Sequence, residues 1–346
     1  MHNGTLRLFC ALLILLAGLT GCVPISDPQP TQNATPPTAS DPAPADTAEV
    51  PSIFESATSP TVDREALEKE SEALADYEGA APVKASVEAP GILVQTGGGA
   101  TIDYSNYDQG YVMVRFAEQT DLRLKVQIKG PATTYTYNLT AGAWTAFPLS
   151  DQNGSYQIIV YQNVTGSKYA AVLSVGIEVS LRNEFAPFLH ANQYVNYDDA
   201  PKATALAASL TAGMDTPLEK VSAVYNYVVG NLTYDHALAA SVKSGYLPDL
   251  DRALEKGSGI CFDYAALMTG MLRSLQIPTK LVVGYAGEVY HAWISVWSEE
   301  TGWVEGVIFF DGTAWKRMDP TFAANGDAGI LDYINDPSNY TSKYFY

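Results

Sequence analysis

Between Asp121 and Lys129 the chain alternates: Leu122, Leu124, Val126 and Ile128 fall on one side, and Arg123, Lys125, Gln127 and Lys129 on the other. An apolar residue at every second position suits a strand with one face on a core and the other in water. The stretches YVMVRF, TTYTYNL, SYQIIVYQN and AVLSVGIEVSL repeat the behaviour, separated by the clusters TGGGA, KGP, TAGA and SDQNGS. Glycine, proline, asparagine and aspartate in such clusters form turns. Several short strands at this spacing predict an all-β sandwich over residues 82–183. Its many tyrosines either line a groove for a sugar or peptide or serve as ordinary strand formers.

Over residues 184–346 the period changes. TPLEKVSAVYNYVVGN offers Thr216 as a cap, Pro217 at the first helical position, and Leu218, Val221, Val224, Tyr225 and Val228 along one face, which predicts an amphipathic helix. A second helix is predicted to begin near Cys261 in GSGICFDYAALMTGMLRSLQIP, with Leu267, Met268, Met271, Leu272 and Leu275 on the buried side and Pro278 as its stop. The apolar stretches TKLVVGYA, YHAWISVW and GWVEGVIFF then read as neighbouring strands. Helices followed by strands, after an all-β region, give an α+β chain.

The first 81 residues belong to neither pattern. MHNGTLRLFCALLILLAGLTGC carries Arg7 and then an apolar run from Leu8 to Leu19, too short to span a bilayer, so residues 1–21 read as a secretory signal. Its end, LTGC, resembles the lipobox of bacterial lipoproteins. That resemblance implies cleavage before Cys22, acylation of Cys22, and an extracytoplasmic protein held at the cell membrane by a lipid. Residues 22–81 are rich in Pro, Thr, Ala and Asp, with few large apolar groups, and are expected to form an extended tether. Within it, DREALEKESEALADYE is expected to form a short solvated helix capped by Asp63.

Charge narrows the function. The net charge is −18, and residues 23–80 alone hold 12 acidic against two basic residues. No basic stripe is present to neutralise phosphates, which argues against a nucleic-acid binder. Cysteine usage says more. Cys10 leaves with the signal and Cys22 is consumed by the lipid, so the mature chain keeps one thiol, Cys261, with no intramolecular partner. Such a thiol is either a small buried hydrophobe or a reactive group. Its position at a helix start, after Gly257 and Gly259, favours the reactive form, because unpaired N–H groups and the helix dipole there stabilise a thiolate.

A nucleophile needs a base. His2 is lost with the signal, His190 lies near the junction between the two regions, His236 precedes the Cys261 helix, and His291 opens the strand YHAWISVW between Tyr290 and Trp293. The strand position makes His291 the best candidate. Asp319, just before Pro320 in RMDPTF, sits where the chain must leave regular structure and can orient a histidine. Asp263 reads as a first-turn charge suited to the helix dipole. Asp235 and His236 lack a third ligand at suitable spacing, so no metal is expected, and no cofactor.

Together, GICFDYAALMTGMLRSLQIPTKLVVGYA, YHAWISVW and WKRMDPT resemble the core of the transglutaminase-like superfamily, a papain-related group of Cys-His-Asp enzymes, across roughly residues 215–325. The resemblance implies an α+β domain over 184–346 with the cysteine helix packed on an antiparallel sheet. It makes Cys261 the nucleophile, His291 the general base and acid, and Asp319 the residue that orients it. Tyr234 sits where related enzymes supply an oxyanion donor, although the backbone N–H of Cys261 is the better donor by geometry. Animal-type members carry Trp after the nucleophile, whereas this chain has Phe262, and no calcium loop is evident. The expectation is a thiol enzyme acting on amide bonds of a protein or peptide, including cell-wall material. The alternative is an inactive surface lipoprotein that binds a cell-wall or protein partner.

Overall fold

The computed structural model describes residues 87–299, 302–304, 308–310, 315–317, 321 and 337–346. The expected signal segment, the expected tether and the helix expected at 63–78, Cys22 and Asp319 lie outside the described residues.

Eight strands come first: β1 (Val94–Gly97), β2 (Ala100–Asp103), β3 (Tyr111–Phe116), β4 (Leu124–Lys129), β5 (Thr134–Leu139), β6 (Thr145–Pro148), β7 (Gly154–Thr165) and β8 (Lys168–Val179). They form two antiparallel four-stranded sheets, in the orders β1-β2-β3-β6 and β5-β4-β7-β8. Leu124, Val126 and Ile128 point inward and share a core with Ile102, Val112 and Val114 of the other sheet. Leu122 does not join them. It precedes β4, donates its N–H to Thr120 Oγ1 in a local turn, and is 46% exposed. Gln127 is on the polar side yet buried, because β4 is flanked on both edges and Gln127 bonds to Thr136 of β5 and Tyr161 of β7. Tyr135 and Tyr137 are fully buried core residues rather than groove linings.

The chain then forms α1 (Pro201–Leu210), α2 (Pro217–Asn231), β9 (Thr233–Tyr234), α3 (His236–Ser241), α4 (Leu250–Lys256), β10 (Ser258–Gly259) and α5 (Cys261–Ser274). The strands β11 (Thr279–Ala286), β12 (Val289–Ser298), β13 (Gly302–Val304), β14 (Ile308–Phe310), β15 (Trp315–Arg317) and β16 (Tyr340–Phe345) follow. At α2 the cap forms as expected: Thr216 Oγ1 accepts from the Glu219 N–H at 3.2 Å, and the Glu219 carboxylate accepts from the Thr216 N–H at 3.1 Å. Two differences from the sequence reading concern length. The stretch between α2 and α5 holds two helices of six and seven residues, too short to show a 3.6-residue period. GWVEGVIFF is two strands, β13 in the sheet β13-β12-β11-β16 and β14 paired with β15. The tail strand β16 lies antiparallel against β11.

The helix α5 is enclosed by α1, α2, α4, β11 and β12, and all fourteen of its residues are buried, beyond the apolar stripe. Such enclosure obliges its polar groups to find internal partners. Arg273, fully buried, donates to the main-chain oxygens of Thr279 at 2.9 Å, His190 at 2.7 Å and Tyr346 at 2.5 Å. Burial lowers its pKa to about 9, which leaves it charged at neutral pH. Tyr346 exchanges backbone hydrogen bonds with Leu281 and meets Tyr135, Tyr137 and Tyr194 edge-on, so the strand-rich and helix-rich parts share one core. Among the described residues, no helix is long and apolar enough to cross a membrane.

Gly284 of β11 is the tightest point in this sheet. A methyl group there would lie 2.0 Å from the Thr341 carbonyl oxygen and 2.9 Å from the Trp293 ring. Gly284→Ala is expected to cost about 1–3 kcal/mol in urea unfolding, since β16 must move. Gly230→Ala, at an exposed site in α2 with nothing within 4 Å, is expected to gain about 0.5–1 kcal/mol.

Candidate active site

Cys261 is the first residue of α5, the only free cysteine among the described residues, and 9% exposed. Its N–H and that of Phe262 have no carbonyl four residues back within the helix, so both remain available to an anion at the helix start. Phe262 packs at 5.4 Å from Tyr194, which fastens the residue after the cysteine to the aromatic core.

The backbone route explains where His291 falls. A fourteen-residue helix runs about 20 Å. The chain turns through Leu275–Pro278 and comes back as β11, covering about 17 Å from Thr279 to Gly284. His291 lies opposite Gly284 on β12, and α5 packs on both strands. α5, with Cys261 at its start, thus packs against the two strands of which β12 carries His291. His291 is buried and lies near-parallel to the Trp293 ring at 6.2 Å, on the same face of the strand. Asp319 lies outside the described residues.

Tyr234 is held beside the approach to Cys261. β9 and β10 pair in parallel with Tyr234 opposite Gly259, two residues before Cys261, and the Asp235 N–H donates to the Gly259 carbonyl at 2.9 Å. The Tyr234 ring meets His236 edge-on at 5.0 Å. Asp235 caps α3 by accepting from the Leu238 N–H at 2.8 Å and pairs with Lys256 at 2.5 Å, which together hold its carboxyl below the ordinary range. The carboxylate is thus occupied as a cap and ion pair. No group of three or more His, Cys, Asp or Glu side chains placed to hold a metal occurs among the described residues. His190 packs against Tyr111 of β3 at 4.7 Å and offers its carbonyl to Arg273, a joint between the two parts of the fold.

The first turn of α5 holds a group that sequence reading undervalued. Ile260, at the cap position, has no side-chain acceptor. Asp263 Oδ2 takes the Ile260 N–H at 2.9 Å, and Asp263 Oδ1 takes the Tyr246 hydroxyl at 2.6 Å. The Tyr246 oxygen in turn accepts from Arg252 Nη2 at 2.6 Å. Asp263 is 2% exposed, and burial raises its carboxyl pKa despite these donors and the Arg252 charge. The same burial raises the Tyr246 phenol, helped by its bond to Asp263. Gly259 is required by this packing, because a Cβ there would lie 2.5 Å from the Asp263 Cβ. Only the glycine and the acidic first turn signalled any of this in the sequence; Tyr246 and Arg252 gave no sign.

An enclosed cysteine helix on an antiparallel sheet, preceded by strands, defines an α+β protein of the cysteine-helix type. Residues 204–306 match the family model of the Transglutaminase-like superfamily, so that stretch is similar to a transglutaminase-like core. A Bacillus subtilis relative, the uncharacterized protein YebA, is 25% identical over 178 residues, covering 45% of this chain and 24% of the relative, so the chain spans about a quarter of that protein's length. Among solved structures, a presumed cysteine protease of Cytophaga hutchinsonii is 16% identical, covers 68% of this chain and 76% of its own, and has a TM-score of 0.35. The periplasmic domain of TgpA from Pseudomonas aeruginosa is 18% identical over 67% of this chain and 94% of its own, with a TM-score of 0.30. At these identities and scores the likenesses bear on no individual residue of the site.

The raised pKa of Asp263 has a definite sign for stability. A carboxyl held above its ordinary value of 3.8 favours the fold most when protonated, and that contribution is lost as pH rises through the raised value. Wild type is therefore expected to lose stability relative to Asp263→Asn between pH 4 and pH 7, measured by urea unfolding at each pH; the opposite trend would show that the hydrogen bonds to the carboxylate outweigh its burial.

Proposed function

We propose that the chain is a lipid-anchored, extracytoplasmic thiol enzyme that works by acyl transfer on amide bonds. One observation carries the reading: Cys261 opens the buried helix α5, which packs against β12, the strand that carries His291. In the proposed reaction the Cys261 thiolate, formed by giving its proton to His291, attacks the carbonyl carbon of a peptide bond or a glutamine side-chain amide. The carbonyl electrons move to oxygen, and the first-turn N–H groups of α5 stabilise that oxyanion. Collapse breaks the C–N bond, His291 returns the proton to the departing amine, and an acyl-thioester remains. Water resolves it in hydrolysis, and a second amine resolves it in transfer. Asp319 is the proposed orienting partner of His291, Tyr234 an additional oxyanion donor beside Gly259, and Cys22 the lipid attachment that keeps the domain at its cell-wall or protein substrate.

The test begins with the thiol. Iodoacetamide is expected to label native Cys261 below neutral pH, and His291→Ala to slow labelling by about tenfold or more, the size of one unit of thiolate pKa. A thiol that reacts only after denaturation would favour a binding lipoprotein without catalysis. Incubation with a glutamine-containing peptide and a labelled primary amine, followed by mass spectrometry, separates ammonia release, chain cleavage and amine incorporation. Asp319→Ala is expected to lower whichever product appears while leaving the protein folded.

A further inference from the structure

The first turn of α5 poses an electrostatic conflict. A thiolate at Cys261 gains from a helix N-terminus, yet Asp263, two residues on, is a buried carboxyl that opposes a second negative charge nearby. The surroundings answer this conflict. Arg252 reaches Asp263 through the Tyr246 hydroxyl, with both bonds at 2.6 Å, and its guanidinium also lies over the Tyr246 ring at 5.8 Å from the centroid. The Arg252 backbone N–H donates to Asp249 Oδ1 at 3.0 Å, the cap of α4, which fixes the main chain from which the guanidinium reaches Tyr246. The other carboxylate acting on Asp263, Asp235, has its own cation in Lys256. Among the described residues, the Tyr234 phenol on β9, paired beside Gly259, the His236 ring that meets it, and His291 on β12 are further titratable groups of the elements around α5.

We propose that Asp263, Tyr246 and Arg252 act together as positioning residues for Cys261. The chain Arg252–Tyr246–Asp263 holds the Ile260 N–H, and with it the peptide that enters the helix at Cys261, while the Arg252 charge offsets the Asp263 carboxylate so that a thiolate can form beside it. This proposal rests on the reading of Cys261 as a nucleophile and extends it to three residues that never touch the substrate. The direction of the raised Asp263 and Tyr246 pKa values agrees with the burial of the Asp263 carboxyl and of its bond to Tyr246, while the Arg252 end of the chain stays exposed.

The experiment is the rate of iodoacetamide labelling of the full chain across pH 5–9. Tyr246→Phe and Arg252→Gln are each expected to slow labelling at pH 7 about threefold and to move the midpoint of the pH profile upward by about half a unit. Arg252→Lys, which keeps the charge and a donor, is expected to restore most of the rate. In an Asp263→Asn background the two substitutions are expected to have less than half of these effects, because the link they complete is already cut. Arg252 is exposed, so its variants remain informative if the Tyr246 or Asp263 variants unfold. A wild-type thiol that labels rapidly while the Tyr246 and Arg252 variants share its profile overturns the proposal and leaves the nucleophile reading intact. Effects of equal size with and without the Asp263 carboxylate also overturn it. A wild-type thiol that labels only when denatured sinks the nucleophile reading, and the proposal with it.

Discussion

Complete enclosure of α5 is the constraint from which the rest of the structure follows. A helix buried on every side cannot leave its end groups to water, and each unpaired polar group costs about 1–3 kcal/mol. At its start the solution is Asp263, whose carboxylate takes the Ile260 N–H while leaving the Cys261 and Phe262 amides without helical acceptors. Near its end it is Arg273, a single planar group that donates to three main-chain oxygens from separate parts of the chain. Arginine suits this position because its donors are fixed in a fork and its charge is diffuse. A lysine would present a compact, strongly hydrated charge in the same enclosed space.

These two devices place the helix with respect to everything else. Arg273 binds it to the loop at His190, to the start of β11 and to Tyr346. Tyr346 then carries the contact into Tyr135, Tyr137 and Tyr194, and Tyr194 returns it to Phe262 beside the cysteine. Aromatic groups make this linkage economical, since each covers a large area with few rotatable bonds. The strand-rich part is thereby continuous with the packing that holds the cysteine end of α5. Gly284 plays the complementary role in the sheet: without a side chain it lets β16 and Trp293 close over the position opposite His291.

Much of this could be read along the chain. The strands β4, β5, β7 and β8 form where the two-residue alternation runs, β3 is buried on both faces, and the capping box at Thr216 and Glu219 is written as spacing alone. The resemblance to the superfamily, read from the motifs around Cys261, His291 and Asp319, is borne out by the match over residues 204–306, which includes the first two motifs and ends before the third. Other features were hidden for identifiable reasons. The helices α3 and α4 are too short for periodicity, and Leu122 looks like a strand residue until the local turn at Thr120 removes it. The burial of the polar residues of α5 was not written in its apolar stripe, because a helical wheel distinguishes a wet face from a dry one only when water reaches one side.

The sequence by itself determined what depends on neighbours along the chain: strand alternation, caps, the glycine approach to the cysteine, and the residue types of the proposed chemistry. Only the tertiary structure decided which distant groups meet. That Tyr246 and Arg252 serve the first turn of α5, that Arg273 is a pin rather than a surface charge, and that the tail strand closes the sheet all depend on contacts between segments whose separation carries no local energetic signature. Hydrogen bonds of that kind form because burial excludes water from both partners at once, a condition that no stretch of sequence states alone.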